Sequence, residues 1–293
     1  MKVALYGRRF DDEFCNGIER LIDGLTRRGI SITVYKSFFH FLQTKITLPA
    51  TAETFESHEE LKGIHYLMSI GGDGTLLETA RIIRDTRIPV VGVNTGRLGF
   101  LSNIELNDVE SAIEALLNQE YQLDRRSLLE VRSQGYDFGD FPYALNEVSI
   151  LNMHRNSMIV IHSYVNEQFM CTYWADGLIV ATPTGSTAYS LSCGGPIVMP
   201  ESNGLILTPV APHNLNVRPF VISSSSKVSL SAESRDPEFV LTIDSRSFNV
   251  PCGVIVELTR APFELNLVSF TGQNFFKTIR QKMGWGLDAR SKN

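Results

Sequence analysis

A chain of 293 residues, 43% hydrophobic and 20% charged, has the composition of a folded globular protein and enough length for one large or two medium domains. Its net charge of −5 excludes a nucleic-acid binder that neutralises phosphates over a broad face, though not a local basic pocket. No apolar run approaches the roughly 20 residues that span a bilayer, and the opening Met1–Tyr6 run is too short for a signal-peptide core, so neither membrane nor nucleic acid is an expected partner. Cys15, Cys171, Cys193 and Cys252 form no CxxC pair and read as free thiols of a reducing cytoplasm.

The first 120 or so residues alternate strand and helix signals. Val3–Tyr6 is a short buried run. Ile18, Leu21, Ile22 and Leu25 recur at helical spacing, and Ile30–Tyr35 reads as a strand. His65–Ile70 is another strand, followed by Gly71-Gly72-Asp73-Gly74, a helix with Leu76, Leu77, Ala80 and Ile83 on one face, and a strand at Ile88–Val93. Asn107 with Glu110 three residues on resembles a capping box opening a helix lined by Val109, Ala112, Ile113 and Leu116. Such alternation implies a parallel sheet with crossover helices.

From about residue 125 helical periodicity gives way to short β-rich segments: Leu145–Leu151, Met158–Val165, Gly177–Ala181, Leu205–Val210, Val228–Ser231, Phe239–Ile243, Val254–Leu258 and Phe263–Leu267. That pattern predicts an antiparallel sandwich or similar all-β domain. Phe275–Met283 reads as an amphipathic helix with Phe276, Ile279 and Met283 on one side. The expected division is an α/β domain over residues 1–124, a β-rich domain over 125–269, and a helix and tail over 270–293 returning to the first domain.

Three segments carry the chemistry. In Ile70-Gly71-Gly72-Asp73-Gly74-Thr75 a buried strand ends, glycines flank an acid and a helix begins. Glycines let a ligand approach the backbone, and the new helix offers unpaired N–H groups to phosphate oxygens. No lysine follows the last glycine, and the spacing fails G-x-G-x-x-G, so neither a P-loop nor a dinucleotide fingerprint fits. A phosphate loop of Gly71, Gly72, Gly74 and Thr75 carrying a proton-accepting Asp73 is one reading; a helix-capping aspartate in a tight turn is the other. In the second segment, Ala175–Ser190, a strand runs into hydroxyls, Gly, Pro and Tyr189, side chains suited to ribose and phosphate but also to an ordinary loop. In the third, Asn146-Glu147 sets donors and acceptors side by side within an apolar strand, which suits a ribose or adenine edge and equally a solvent-facing strand end.

In their order, GGDGT, VNTGRLGFL (93–101), LNEV (145–148) and ADGLIVATPTGSTAYSLSCGGP (175–196) resemble the NAD kinase family, as does the FFKTIRQKMGW tail. The resemblance implies a Rossmann-like first domain, a β-rich second domain and NAD held between them. It implies that Asp73, beside Gly74, accepts the proton of the adenosine-ribose 2′-hydroxyl as ATP or polyphosphate gives up its terminal phosphate. It implies NAD contacts from Asn146, Glu147, Asp176, Thr184, Thr187, Ala188, Tyr189, Ser190, Leu191, Ser192 and Ala211, with Asp176 toward nicotinamide, and assembly as a homodimer or homotetramer.

Asp244-Ser245-Arg246 stands where the family often has Asp-Gly-Gln or Asp-Ser-Gln, which gives Arg246 a contact role by position. Trp174 and Ser157 replace basic or imidazole side chains of some members, and Glu78 replaces a basic one. The six histidines are scattered, so Mg²⁺ is expected to arrive on the ATP phosphates with much of its water. Arg8 and Arg9 are either phosphate contacts or part of a solvated loop. A lipid kinase sharing GGDGT and a non-catalytic NAD(H) sensor are the rival readings.

Overall fold

The computed structural model describes residues 1–96, 99–102, 104–154 and 158–286. Ser157 therefore lies outside the described residues. The chain divides into two compact units, Met1–Arg125 with Leu265–Asn293, and Arg126–Glu264.

The first unit contains strands β1 (Lys2–Gly7), β2 (Ser31–Tyr35), β3 (Glu53–Phe55), β4 (Tyr66–Ile70), β5 (Val90–Asn94) and β6 (Ile104–Glu105), with helices α1 (Cys15–Arg27), α2 (Lys36–Gln43), α3 (Asp73–Ile83) and α4 (Val109–Asn118). The strands are parallel in the order β5-β4-β1-β2-β3, with β6 beside β5. This is the parallel sheet with crossover helices that the alternation predicts, in the Rossmann-like form the resemblance implies. The strand order reverses between β1 and β4, where Gly7 pairs with Ile70; ligands in such sheets lie off the carboxyl ends at this point. Gly71–Asp73 continues directly from β4.

Helix α1 buries Ile18, Leu21, Ile22 and Leu25, each contributing about 1.5–3 kcal/mol by burial. The capping box does not form. Asn107 sits in a short 3₁₀ turn, where its Oδ1 accepts from Arg20 at 3.2 Å, while Glu110 pairs with Arg27 of α1 and with Arg28 just past its end. These inter-helix ion pairs take the carboxylate that a cap would have used.

The second unit contains β8 (Tyr143–Ala144), β9 (Glu147–Leu151), β10 (Ile159–Val165), β11 (Gln168–Ala175), β12 (Gly177–Ala181), the one-turn helix α5 (Tyr189–Ser192), β13 (Gly204–Val210), β14 (Phe220–Ser223), β15 (Val228–Glu233), β16 (Glu238–Ile243) and β17 (Arg246–Pro251). Strands β7 (Tyr121–Ser133) and β18 (Val256–Phe270) each have residues in both units. One antiparallel sheet runs β14-β13-β12-β9-β16-β17, and the other contains β11-β10-β15-β18 with β7 and β8. Val148, Ile150, Leu178, Val180, Leu205 and Leu207 of the first sheet share a core with Ile159, Ile161, Val228, Leu230, Val256 and Leu258 of the second, which makes the expected sandwich.

Helix α6 (Phe275–Met283) opens on Asn274, whose side chain accepts from Lys277 N at 2.8 Å. Only Ile279 of its predicted apolar face is buried; Phe276 and Met283 are exposed. All four cysteines are free. No helix among the described residues is long and apolar enough to cross a membrane.

Candidate active site

The candidate residues fall in two groups, one in each unit. In the first unit Asp73 is the first residue of α3, and its side chain does not cap that helix. It turns instead to the segment after β5. Oδ2 accepts from Phe100 N at 2.8 Å, and Oδ1 accepts from Leu101 N at 3.0 Å and Ser102 N at 3.1 Å. Lys282 of α6 lies 3.4 Å from Oδ2 and 4.3 Å from the centre of the Phe100 ring. The carboxylate is thereby fixed in orientation by three main-chain donors while remaining partly accessible.

Two glycines make this possible. A Cβ on Gly99 would run into the Asp73 carboxylate, and a Cβ on Gly71, whose φ is +153°, would run into the Thr75 side chain. Gly72 and Gly74 differ, since the space a Cβ would take there is open to beyond 4 Å. That open ground at the start of an eleven-residue helix suits an anion.

Arg8, Tyr6 and Glu78 form a separate cluster. Arg8 Nε donates to Glu78 Oε2 at 2.7 Å, its Nη2 meets Oε1, and the Tyr6 hydroxyl donates to Oε2 at 2.6 Å. Burial alone would raise the Glu78 carboxyl, but the donors from Arg8 and Tyr6 hold it below the usual range. The acid at position 78 is thus matched by Arg8. Arg9 lines a cavity of about 960 Å³ with Gly7, Phe38 and His40 off the end of β1.

In the second unit the Asn146-Glu147 turn is organised by Asp244. The Asp244 carboxylate accepts from Leu145 N at 2.8 Å, Asn146 N at 2.8 Å and Glu147 N at 3.2 Å. Burial pushes its carboxyl up, against the pull of these donors and of Arg246. The Glu147 carboxyl is pushed up to about 8, first by burial and then by the charge of Asp244, while the Tyr189 N–H draws it down. Its Oε2 is buried with no hydrogen-bond partner.

The hydroxyl-rich segment is bound to the same turn. Thr182 N donates to Asn146 O at 2.8 Å, the Thr182 hydroxyl donates to Leu145 O at 2.6 Å, and a Cβ on Gly185 would strike the Asn146 backbone. Thr184 is buried and its hydroxyl accepts from Arg126 at 3.2 Å. The Thr187 hydroxyl donates to Thr184 O at 3.3 Å, and Ser190 is buried against Thr208 at 2.8 Å.

Ala188, Leu191 and Ser192 flank Tyr189 on and before α5. The Tyr189 hydroxyl is pushed up by burial first, then by Cys193, Asp176 and Glu147, so one ring feels both carboxylates. Asp176 is exposed at the start of β12, and Ala211, at φ +44°, follows β13 beside it. Arg246 is committed to the main chain. It donates to Phe141 O and to Tyr143 O and lies over the Phe141 ring.

Sequence reasoning did not single out the Phe100–Ser102 amides, Lys282 or the organising role of Asp244. Phe100, Leu101 and Lys282 lie in the VNTGRLGFL and tail stretches, where motif likeness assigns no individual role, and Ser102 lies one residue beyond. Asp244 stands out in the sequence only as the start of the departing Asp-Ser-Arg tripeptide.

Comparison with known proteins covers both units. Residues 3–121 match the ATP-NAD kinase N-terminal domain and residues 145–270 the ATP-NAD kinase C-terminal domain. The chain is 41% identical over 292 residues to the NAD kinase of Cytophaga hutchinsonii, covering 99% of this chain and 100% of that one. It is 40% identical over 291 residues to the NAD kinase of Porphyromonas gingivalis, covering 99% of each. Among solved structures, an NAD kinase from Archaeoglobus fulgidus in complex with ATP superposes with a TM-score of 0.73 at 25% identity over 97% of this chain and 99% of that one. Yeast NADH kinase complexed with NADH shares the fold, with a TM-score of 0.91 at 20% identity over 100% of this chain and 90% of that one. Matches to both domains and at full length leave one assignment: the chain belongs to the ATP-NAD kinase family.

Proposed function

We propose that the chain transfers the terminal phosphate of MgATP to the 2′-hydroxyl of the adenosine ribose of NAD, giving NADP, with Asp73 as the proton acceptor. The observation that carries this reading is the Asp73 carboxylate itself. It is held rigidly by three N–H donors at the end of β4, beside open ground over Gly72 and Gly74. Phosphoryl transfer asks the protein mainly for positioning and charge neutralisation, and a pre-oriented carboxylate with an adjacent helix N-terminus supplies both.

The second unit's residues recognise the dinucleotide in this reading. Asn146, the Glu147 carboxyl and the Tyr189 ring present an amide, an acid and an aromatic face; Thr184, Thr187, Ser190 and Ser192 supply hydroxyls, and Asp176 and Ala211 a further rim. Arg246 acts through the Phe141–Tyr143 main chain rather than by touching NAD. Mg²⁺ enters as part of the nucleotide. Both Asp73 oxygens already accept N–H donors, and no group of three metal-binding side chains occurs among the described residues.

The enzyme acts in the cytoplasm as a homodimer or homotetramer. Support for assembly comes from the β10–β11 hairpin, which exposes the Tyr164–Phe169 ring pair and, further along, Trp174; exposed apolar surface can mark an interaction site. Purified protein incubated with NAD, ATP and Mg²⁺ tests the activity. NADP formation supports it; tight NAD binding without NADP, or phosphorylation of lipid instead, contradicts it.

A further inference from the structure

We propose that Lys282, brought to Asp73 by α6, is a second catalytic residue that hands its positive charge from Asp73 to the phosphoryl group in flight. This rests on the reading that Asp73 accepts the 2′-hydroxyl proton.

Lys282 and Asp73 are 209 residues apart in sequence and 3.4 Å apart in space. That distance exceeds the 2.7–2.9 Å of a tight charge-assisted hydrogen bond, so the ammonium is held beside the carboxylate without being consumed by it. Of its three N–H donors, one points to Oδ2. The ammonium also lies over the Phe100 ring at 4.3 Å, a cation–π contact that fixes its height above the same segment whose N–H groups hold Asp73. Arg8, a cation at the end of β1, is bidentate on Glu78 and so already matched.

The reaction needs a cation where Lys282 stands. An attacking 2′-oxygen within hydrogen-bond reach of Oδ2, roughly 2.6–3.2 Å, sits about 3–3.5 Å from the phosphorus it attacks. A group 3.4 Å from Oδ2 can therefore reach a phosphoryl oxygen without leaving Asp73. The O2′–H bond breaks and its proton goes to Asp73. The O2′–P bond forms, and the P–O bond to the β-phosphate breaks with its electron pair leaving on ADP. Lys282 stays protonated throughout. As the proton neutralises Asp73, Lys282 loses its partner at the moment the phosphoryl oxygens and the leaving group gain charge. A fixed cation aimed at developing charge is the most effective kind of electrostatic help.

The test uses K282M, K282R and the double variant D73N/K282M in the full chain, with single-turnover rates, NAD affinity by calorimetry and thermal melting. Methionine keeps the stem on Phe100 and removes only the charge. We expect K282M to lose about 10²-fold in rate with NAD affinity and melting temperature unchanged, and K282R to recover most of that loss. The double variant is expected to turn over at least about tenfold more slowly than D73N. A K282M rate near wild type overturns the inference. So does a loss that disappears in the D73N background, which would make Lys282 only a holder of Asp73, or a loss matched by weakened NAD binding or folding. Failure of the wild-type chain to make NADP would instead remove the reading on which the inference rests.

Discussion

The Asp244 and Glu147 main chain and side chain hold each other from both directions: Glu147 N–H donates to Asp244 Oδ1 at 3.2 Å, and Asp244 N–H donates to Glu147 O at 3.0 Å. With Leu145 N and Asn146 N on the same carboxylate, one buried aspartate satisfies three consecutive amides and sets the direction in which Asn146 and Glu147 point. Asp244 adopts φ +51° to do so, a left-handed conformation that an aspartate tolerates better than most side chains.

Asp244→Ala leaves three N–H groups without their acceptor. Stability is expected to fall by about 3–5 kcal/mol, the range for breaking a buried charged partnership. The KM for NAD is expected to rise more than the KM for ATP. Urea unfolding and steady-state kinetics check both; unchanged unfolding would show that the amides find other partners.

Glu147 carries a pH signature. Its ordinary value of 4.5 rises to about 8 in the folded chain, so between these limits the folded state binds a proton that the unfolded chain has released. Stability therefore carries no penalty from this group below about pH 4.5 and loses steadily as pH rises toward 8. Glu147→Gln removes that slope, and the variant gains on wild type between pH 5 and pH 8. Denaturation of both proteins across this range is the check; parallel curves would refute the protonated carboxyl.

Gly185→Ala drives a methyl group into the Asn146 backbone, which cannot yield as a flexible side chain would. A cost of about 1–3 kcal/mol is expected from overpacking, with a raised KM for NAD and little change in kcat for bound substrate. A variant with wild-type melting and KM would mean that the two segments move apart freely.

Much of this was legible in the sequence, and the exceptions have physical causes. The β4–GGDG–α3 junction was readable because a buried run, glycines and a helical face follow one another without interruption. Helix α2 was missed because Tyr35 passes straight into Lys36 with no side-chain cap, and its aromatic run looks as much like a strand. Strand β18 reads from sequence as two pieces because Pro262 breaks the apolar pattern, yet it runs unbroken from Val256 to Phe270. The Asn107 cap does not form because arginines on and just after α1, some 80 residues earlier, take both side chains. The amphipathic face of α6 was overread, since Phe276 and Met283 stay exposed and Lys282 provides its decisive contact. Periodicity reports burial along one element. It carries no information on which distant side chain a carboxylate will meet, so Lys282 beside Asp73 and Asp244 beneath Asn146 required the structure.

The most direct measurement is NADP formation from NAD and MgATP by the wild-type chain and by Asp73→Asn, with NAD affinity measured on both. Loss of a general base predicts a fall of about 10²–10⁴-fold in turnover while NAD still binds. Turnover by Asp73→Asn equal to that of wild type would contradict the assignment of Asp73 as the proton acceptor.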